Sequence, residues 1–202
     1  MLRHLDTVFA TGSHVVVLRY LCRTGGAHTG RAIGRSIGLS HHVVHRALSP
    51  LAALGMLDAE RQGRSIVYRL NEHHWLVRDG LRPLYAAEAG LHPLLGEAVR
   101  QAAGVPVRAV ILFGSEGRGE ARADSDVDIA CLTHGRKASA AAEDNLTKAA
   151  AGLRRQFGRR LSVLVWDARE FARRYQARDR LAREIADTGW TIAGAALGEL
   201  IC

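Results

Sequence analysis

The densest grouping of chemistry-bearing side chains lies between residues 109 and 130: Gly114-Ser115, Arg118-Gly119 and Ser125-Asp126-Val127-Asp128-Ile129. Asp126 and Asp128 are two residues apart. In a strand such residues share a face, so both carboxylates point one way while Val127 and Ile129 point into a core. Two carboxylates held side by side repel each other unless a cation lies between them. Mg²⁺ suits that place, because it takes one or two carboxylates plus substrate phosphates rather than a full protein cage. Gly114 lets the backbone approach a phosphate closely, and Ser115 offers it a hydroxyl and an N–H. Arg118 neutralises further phosphate charge. The chemistry expected of this set is the binding of a Mg-nucleotide. The plainer alternative is a Gly-rich turn followed by a strand with two solvated aspartates.

The elements that position these residues follow from pattern. Ala109 to Phe113 is an apolar run short enough for a buried strand, and alternation resumes at Ser125. The Ala-rich segment 138–157 carries Ala142, Leu146, Ala149, Leu153 and Phe157 on one helical stripe, and Gly158 stops it. Leu161 to Trp166 reads as a third strand. Asp167 and Glu170 have the spacing of a capping box opening a helix through Phe171 and Tyr175. A last helix through Leu181 and Ile185 leads to a final strand near Trp190–Gly194.

The 109–130 stretch resembles the signature of minimal nucleotidyltransferases of the DNA polymerase β superfamily. Gly114, Ser115, Arg118, Gly119, Ser125, Asp126, Asp128 and Ile129 fall at the family's spacing, with Gly117 where alanine is usual. The resemblance implies Asp126 and Asp128 as catalytic residues and metal ligands. It implies Gly114, Ser115, Arg118 and Ser125 at the nucleotide, with Mg²⁺ and an NTP, taken as ATP, as cofactors. The family's third acid is the second residue of the third strand. Here that strand begins Leu161-Ser162-Val163-Leu164, so a serine stands in its place. Loss of a general base commonly costs about 10²- to 10⁴-fold in rate. Asp167 falls on the opposite strand face and reads better as an N-cap. Glu116 and Glu120 lie in the signature loop, with no geometric reason to complete the site.

The N-terminal part reads differently. Ser13 is the expected cap of a helix through Val15, Leu18 and Leu21. A second short helix fits Thr29 to Ser36. Ser40 opens a third, which Pro50 is expected to bend or divide. Met56–Glu60 and Ser65–Leu70 read as strands around a turn at residues 61–64. Three short helices and a hairpin resemble a winged helix-turn-helix of the bacterial regulator kind over residues 1–73. The resemblance puts the third helix in a DNA major groove, with Ser40, His41, His42, His45 and Arg46 exposed and with Arg61 and Arg64 on the wing. Residues 1–75 hold nine arginines and four acids, net +5, within a chain of net charge +8. The basic excess thus sits where duplex DNA binding needs it. A metal cluster of His41, His42 and His45, and a winged helix used only for dimerisation or protein contact, are the alternatives.

The expected architecture is α+β: a winged helix at 1–73, a helical connector at 74–89 and a small polymerase β-like α/β domain at 90–202. Cys22, Cys131 and Cys202 are scattered and form no disulfide framework. No signal peptide and no membrane-length apolar run is apparent, so a cytoplasmic protein is expected. The leading function is a DNA-binding transcriptional regulator, expected as a homodimer, whose nucleotidyltransferase-like domain binds Mg-NTP with weak catalysis. The alternative is an active nucleotidyltransferase moving NMP to a protein, RNA or small-molecule hydroxyl. An antitoxin role is a variant of it, although no residue marks a toxin contact.

Overall fold

A computed structural model of the chain describes residues 4–118 and 125–201. Gly119 and Glu120 of the signature loop, and Cys202, lie outside the described residues. Two units divide at Ala89/Gly90.

In the first unit, a short α1 (His4–Val8) precedes α2 (Gly12–Thr24), α3 (Gly30–Ile37) and α4 (His41–Ala53). Thr11, not Ser13, caps α2, and its hydroxyl accepts from His14 N while also bonding the Ser13 hydroxyl. Thr29 and Ser40 cap α3 and α4 in the same way, each satisfying an N–H that the first turn leaves without an intrahelical partner. Pro50 does not divide α4, which runs on to Ala53. It sits in the last turn, where its missing N–H removes a single ladder bond and Leu54 N still reaches Pro50 O at 3.1 Å. The strands β2 (Leu57–Gln62) and β3 (Ser65–Leu70) pair through Gln62 and Ser65, so the turn is only Gly63-Arg64, with Gly63 at φ +60°. A two-residue strand β1 (His28–Thr29), not anticipated from sequence, adds to the other edge of β3. This is a winged helix-turn-helix. Its core contains Val17, Leu18, Leu21, Ile33, Val44, Leu48, Leu51 and Met56. Of residues 74–89, all but His74 are helical, through a π-type turn (Val77–Leu81) and α5 (Arg82–Ala89). They bury Leu76, Val77, Leu81 and Tyr85 in that same core, and the Tyr85 hydroxyl donates to Val15 O.

The second unit begins with α6 (Leu91–Ala103), ended by Gly104 in the left-handed conformation. Its sheet has the order β6-β5-β4-β7, built from β4 (Val107–Phe113), β5 (Val127–Thr133), β6 (Leu161–Asp167) and β7 (Trp190–Gly194). β5 and β6 are parallel, joined by the long crossover α8 (Arg136–Phe157), and the other pairings are antiparallel. Alternation sorts the strand residues onto two faces. Val110, Leu112, Val127, Ile129 and Cys131 pack with Leu95, Val99, Ala142, Leu146 and Leu153 of α6 and α8. Ala109, Ile111, Phe113, Ala130 and Leu132 pack with Phe171 of α9 (Ala168–Gln176) and with Ala182 and Ile185 of α10 (Arg180–Thr188). Asp167 does cap α9, accepting from Arg169 N, and it also accepts from Gly135 N at 3.0 Å. The capping box is incomplete, because Glu170 turns forward to Arg174 one helical turn on. Both units combine helix and sheet, and the fold class is α+β.

Candidate functional site

The β4 strand delivers the chain to Gly114 at one end of the sheet. There the backbone turns at φ +69° into a single helical turn, α7 (Gly114–Gly117), closed by Arg118 N to Gly114 O at 3.1 Å. A Cβ on residue 114 would lie 2.5 Å from Asp128 Oδ2, so both conformation and space demand glycine. Gly117, where the related signature has alanine, is explained by its neighbour: a Cβ there would lie 2.5 Å from the Thr188 carbonyl at the end of α10.

Asp128 sits opposite Phe113 on β4 and opposite Ser162 on β6. By strand parity Asp126, Asp128 and Ser162 lie on the face covered by α9 and α10. Desolvation, then the neighbouring carboxylates of Asp126 and Glu184, push the Asp128 carboxyl above its ordinary pKa. A hydrogen bond from Ser162 and the charge of Arg118 oppose the shift. Position 162 therefore brings a neutral hydroxyl beside Asp128, not a third negative charge. Asp126 is more exposed and has Arg160 Nε at 3.8 Å.

Three neighbours were not singled out from sequence. Glu184 of α10 accepts from Arg118 Nη1 at 3.4 Å. Arg160 flanks Asp126. Arg159 donates to Glu116 Oε2 at 2.7 Å and, from Nη2, to Ser125 O at 2.7 Å and Ser125 Oγ at 2.9 Å. Glu116 is thereby committed to Arg159. An Arg-Arg pair just after Gly158 was the only available signal for the last two, and it carries no spatial information. Among the described residues, no group of three or more His, Cys, Asp or Glu side chains is arranged to hold a metal ion. His41, His42 and His45 form no such cluster.

In the first unit, α4 buries Val44, Ala47, Leu48 and Leu51 and exposes Ser40, His41, His42, His45 and Arg46. The Ser40 hydroxyl accepts from Val43 N at 3.4 Å. Arg61 and Arg64 are exposed on the β2–β3 hairpin. A groove of about 440 Å³ between α4 and the hairpin is lined by Arg31, His41, His45, Arg64, Ile66 and Tyr68 among others. Arg31, in the first turn of α3, is the basic residue that sequence reasoning passed over. The two thiols with described surroundings, Cys22 and Cys131, are each pushed up to about 11 by burial.

Residues 101–189 match the family model "Polymerase beta, Nucleotidyltransferase", and the second unit carries a nucleotidyltransferase domain. No curated protein matches the chain. Among solved structures, the chain is similar to a predicted DNA-binding transcriptional regulator from E. coli, at 17% identity over 44% of this chain and 85% of that one, with a TM-score of 0.36. It is also similar to the transcriptional repressor BigR from Xylella fastidiosa, at 20% identity over 41% of this chain and 76% of that one, TM-score 0.34. A third similarity is to a toxin-antitoxin structure with AMP-PNP, at 19% identity over 52% of this chain and 76% of that one, TM-score 0.35.

Proposed function

We propose that the protein is a cytoplasmic, dimeric DNA-binding transcriptional regulator whose nucleotidyltransferase domain binds Mg-NTP, with ATP as the nucleotide, and turns it over slowly. The observation carrying this reading is the pairing of Asp126 and Asp128 against Gly114 with a serine at position 162. The donor set fits a hard divalent cation, since it is oxygen only and since desolvation and then the neighbouring Asp126 charge penalise the bare Asp128 carboxylate and raise its pKa. When bound, the cation would neutralise triphosphate charge and lower the pKa of an acceptor hydroxyl.

The chain's own residues supply the rest. The Ser115 N–H and hydroxyl, at the start of a turn whose glycine admits close approach, would bind phosphate oxygens. Arg118 would add a cation from the end of that turn. Asp126 and Asp128 would hold the metal. Ser162, opposite Asp128 in the ladder, offers a hydroxyl, but a serine is no general base at neutral pH, and this is the reason for weak turnover. In the other unit, the exposed N-terminal turns of α4 would enter the major groove, with Arg61 and Arg64 reaching phosphate or minor groove. No helix among the described residues is long and apolar enough to cross a membrane.

Calorimetry tests the nucleotide reading. ATP should bind only with Mg²⁺, and Asp126→Asn with Asp128→Asn should abolish binding. Undiminished binding by the double variant would place the nucleotide elsewhere. The second reading, an active nucleotidyltransferase modifying a hydroxyl on a protein, RNA or small molecule, is favoured by the intact Gly114–Ser115 turn. It predicts robust transfer of label from ATP by the unmodified chain.

A further inference from the structure

We propose that Arg159 is a positioning residue of the nucleotide site, its guanidinium locking the Ser115-Glu116 turn to the strand that carries Asp126 and Asp128. This rests on the Mg-nucleotide reading above.

The geometry is that of a fork between two segments far apart in sequence. Nε and Nη2 converge on Ser125 O at 3.0 and 2.7 Å, Nη2 also reaches Ser125 Oγ at 2.9 Å, and Nη1 reaches Glu116 Oε2 at 2.7 Å. The side chains of Arg159 and Glu116 are each only 24% exposed. The neighbouring Arg160–Asp126 pair is longer, at 3.8 Å, and far more open, at 75% and 45%. Charge-assisted bonds in a partly desolvated setting hold their geometry, whereas an open pair of that length exchanges freely with water.

The base of the fork is itself fixed. Gly158, at φ +71°, ends α8, and Val127 N donates to Arg160 O at 3.0 Å, which pins residues 159–160 beside the start of β5. From that fixed point the guanidinium spans to α7. Ser115 lies next to Glu116, and Asp126 lies next to Ser125. One side chain therefore sets the spacing between the proposed phosphate-binding turn and the proposed metal-binding strand. That spacing matters because both must grip the same triphosphate, and displacement of a binding group by about 1 Å can cost on the order of 10²-fold. β4 and β6 flank Asp128 directly, and the backbone bond from Val127 N to Arg160 O holds the residue after Asp126, so the carboxylates keep their place without the Arg159 side chain.

The test separates positioning from general support of the fold. In the full chain, Arg159→Ala should weaken Mg²⁺-dependent ATP binding by about 10- to 100-fold, by calorimetry well below the unfolding midpoint. Mn²⁺ binding without nucleotide, read by electron paramagnetic resonance, should stay at the wild-type value. Arg159→Lys, which keeps the charge beside Glu116 but not the fork, should recover only part of the loss. ATP affinity unchanged in Arg159→Ala overturns the inference, as does a parallel loss of ATP and Mn²⁺ affinity. If Arg159→Ala does not fold, Glu116→Gln leaves the Ser125 bonds intact and is expected to weaken ATP binding with Mn²⁺ binding intact, and unchanged ATP affinity in it overturns the inference. A wild-type chain that binds no nucleotide overturns the proposed function and this inference with it. Binding that Arg159→Ala retains overturns the inference alone.

Discussion

Gly114 and Asp128 approach each other so closely that a Cβ on residue 114 would meet Asp128 Oδ2 at 2.5 Å. The turn after β4 and the carboxylate on β5 thus share one space. Phe113 and Asp128 are directly opposite in the antiparallel ladder, so the next residue on β4 must pass over the carboxylate as it turns.

Gly114→Ala is expected to destabilise the protein by about 1–3 kcal/mol, from the left-handed backbone alone, and to displace the Asp128 carboxylate. Urea denaturation checks the first effect. Calorimetry with Mg-ATP checks the second, with loss of binding at temperatures where the variant is still folded.

The raised pKa of Asp128 makes its ionised form a cost to the folded state. The native protein holds this proton more tightly than the unfolded chain does, so stability from this site is fully present below the unfolded pKa and is lost as pH rises through the folded pKa. Asp128→Asn should therefore raise the unfolding midpoint at pH 7 without ligand, with the gain shrinking as pH falls through the raised folded pKa and gone below the ordinary aspartate value of 3.8. Thermal unfolding at both pH values measures this. A variant more stable than wild type yet unable to bind Mg-ATP would be a site built against stability.

Ser162→Asp places a carboxylate opposite Asp128 in the parallel ladder. Without metal it should lower stability, because it exchanges a neutral hydroxyl for a charge like that of Asp128. With Mg²⁺ it should raise nucleotidyl transfer from labelled ATP toward the 10²- to 10⁴-fold range that a restored general base supplies, to order of magnitude. Transfer that stays at background would locate the deficit elsewhere in the site.

For the winged helix, Arg46→Ala and Arg64→Ala should each weaken duplex DNA binding. Removing an arginine that pairs with a phosphate should reduce the slope of log affinity against log salt by about 1. Gel shifts across a salt series read this. Unchanged binding in the double variant would remove α4 and the hairpin from the interface.

Local pattern settled much of this protein. The two-residue spacing of Asp126 and Asp128, the apolar run of β4 and the helix ends at Gly104 and Gly158 follow from short-range backbone rules. So do the caps at Ser40 and Asp167. That Ser162 stands where the resembled family carries its third acid follows from that resemblance and from its place along the third strand. Sequence could not weigh Ser13 against Thr11 as a cap, because both offer a hydroxyl two residues apart and only the chain's entry angle selects one. Nor could it foresee β1, whose two residues become a strand solely by pairing with β3. Ser162 opposite Asp128, Glu184 beside Arg118, Gly117 beneath the Thr188 carbonyl and Arg159 between Glu116 and Ser125 all join residues across long stretches of chain. Which side chains meet there depends on sheet register and on the seating of α10 against β4, and these are set by burial of Ile111, Phe113, Ala182 and Ile185 together in one core.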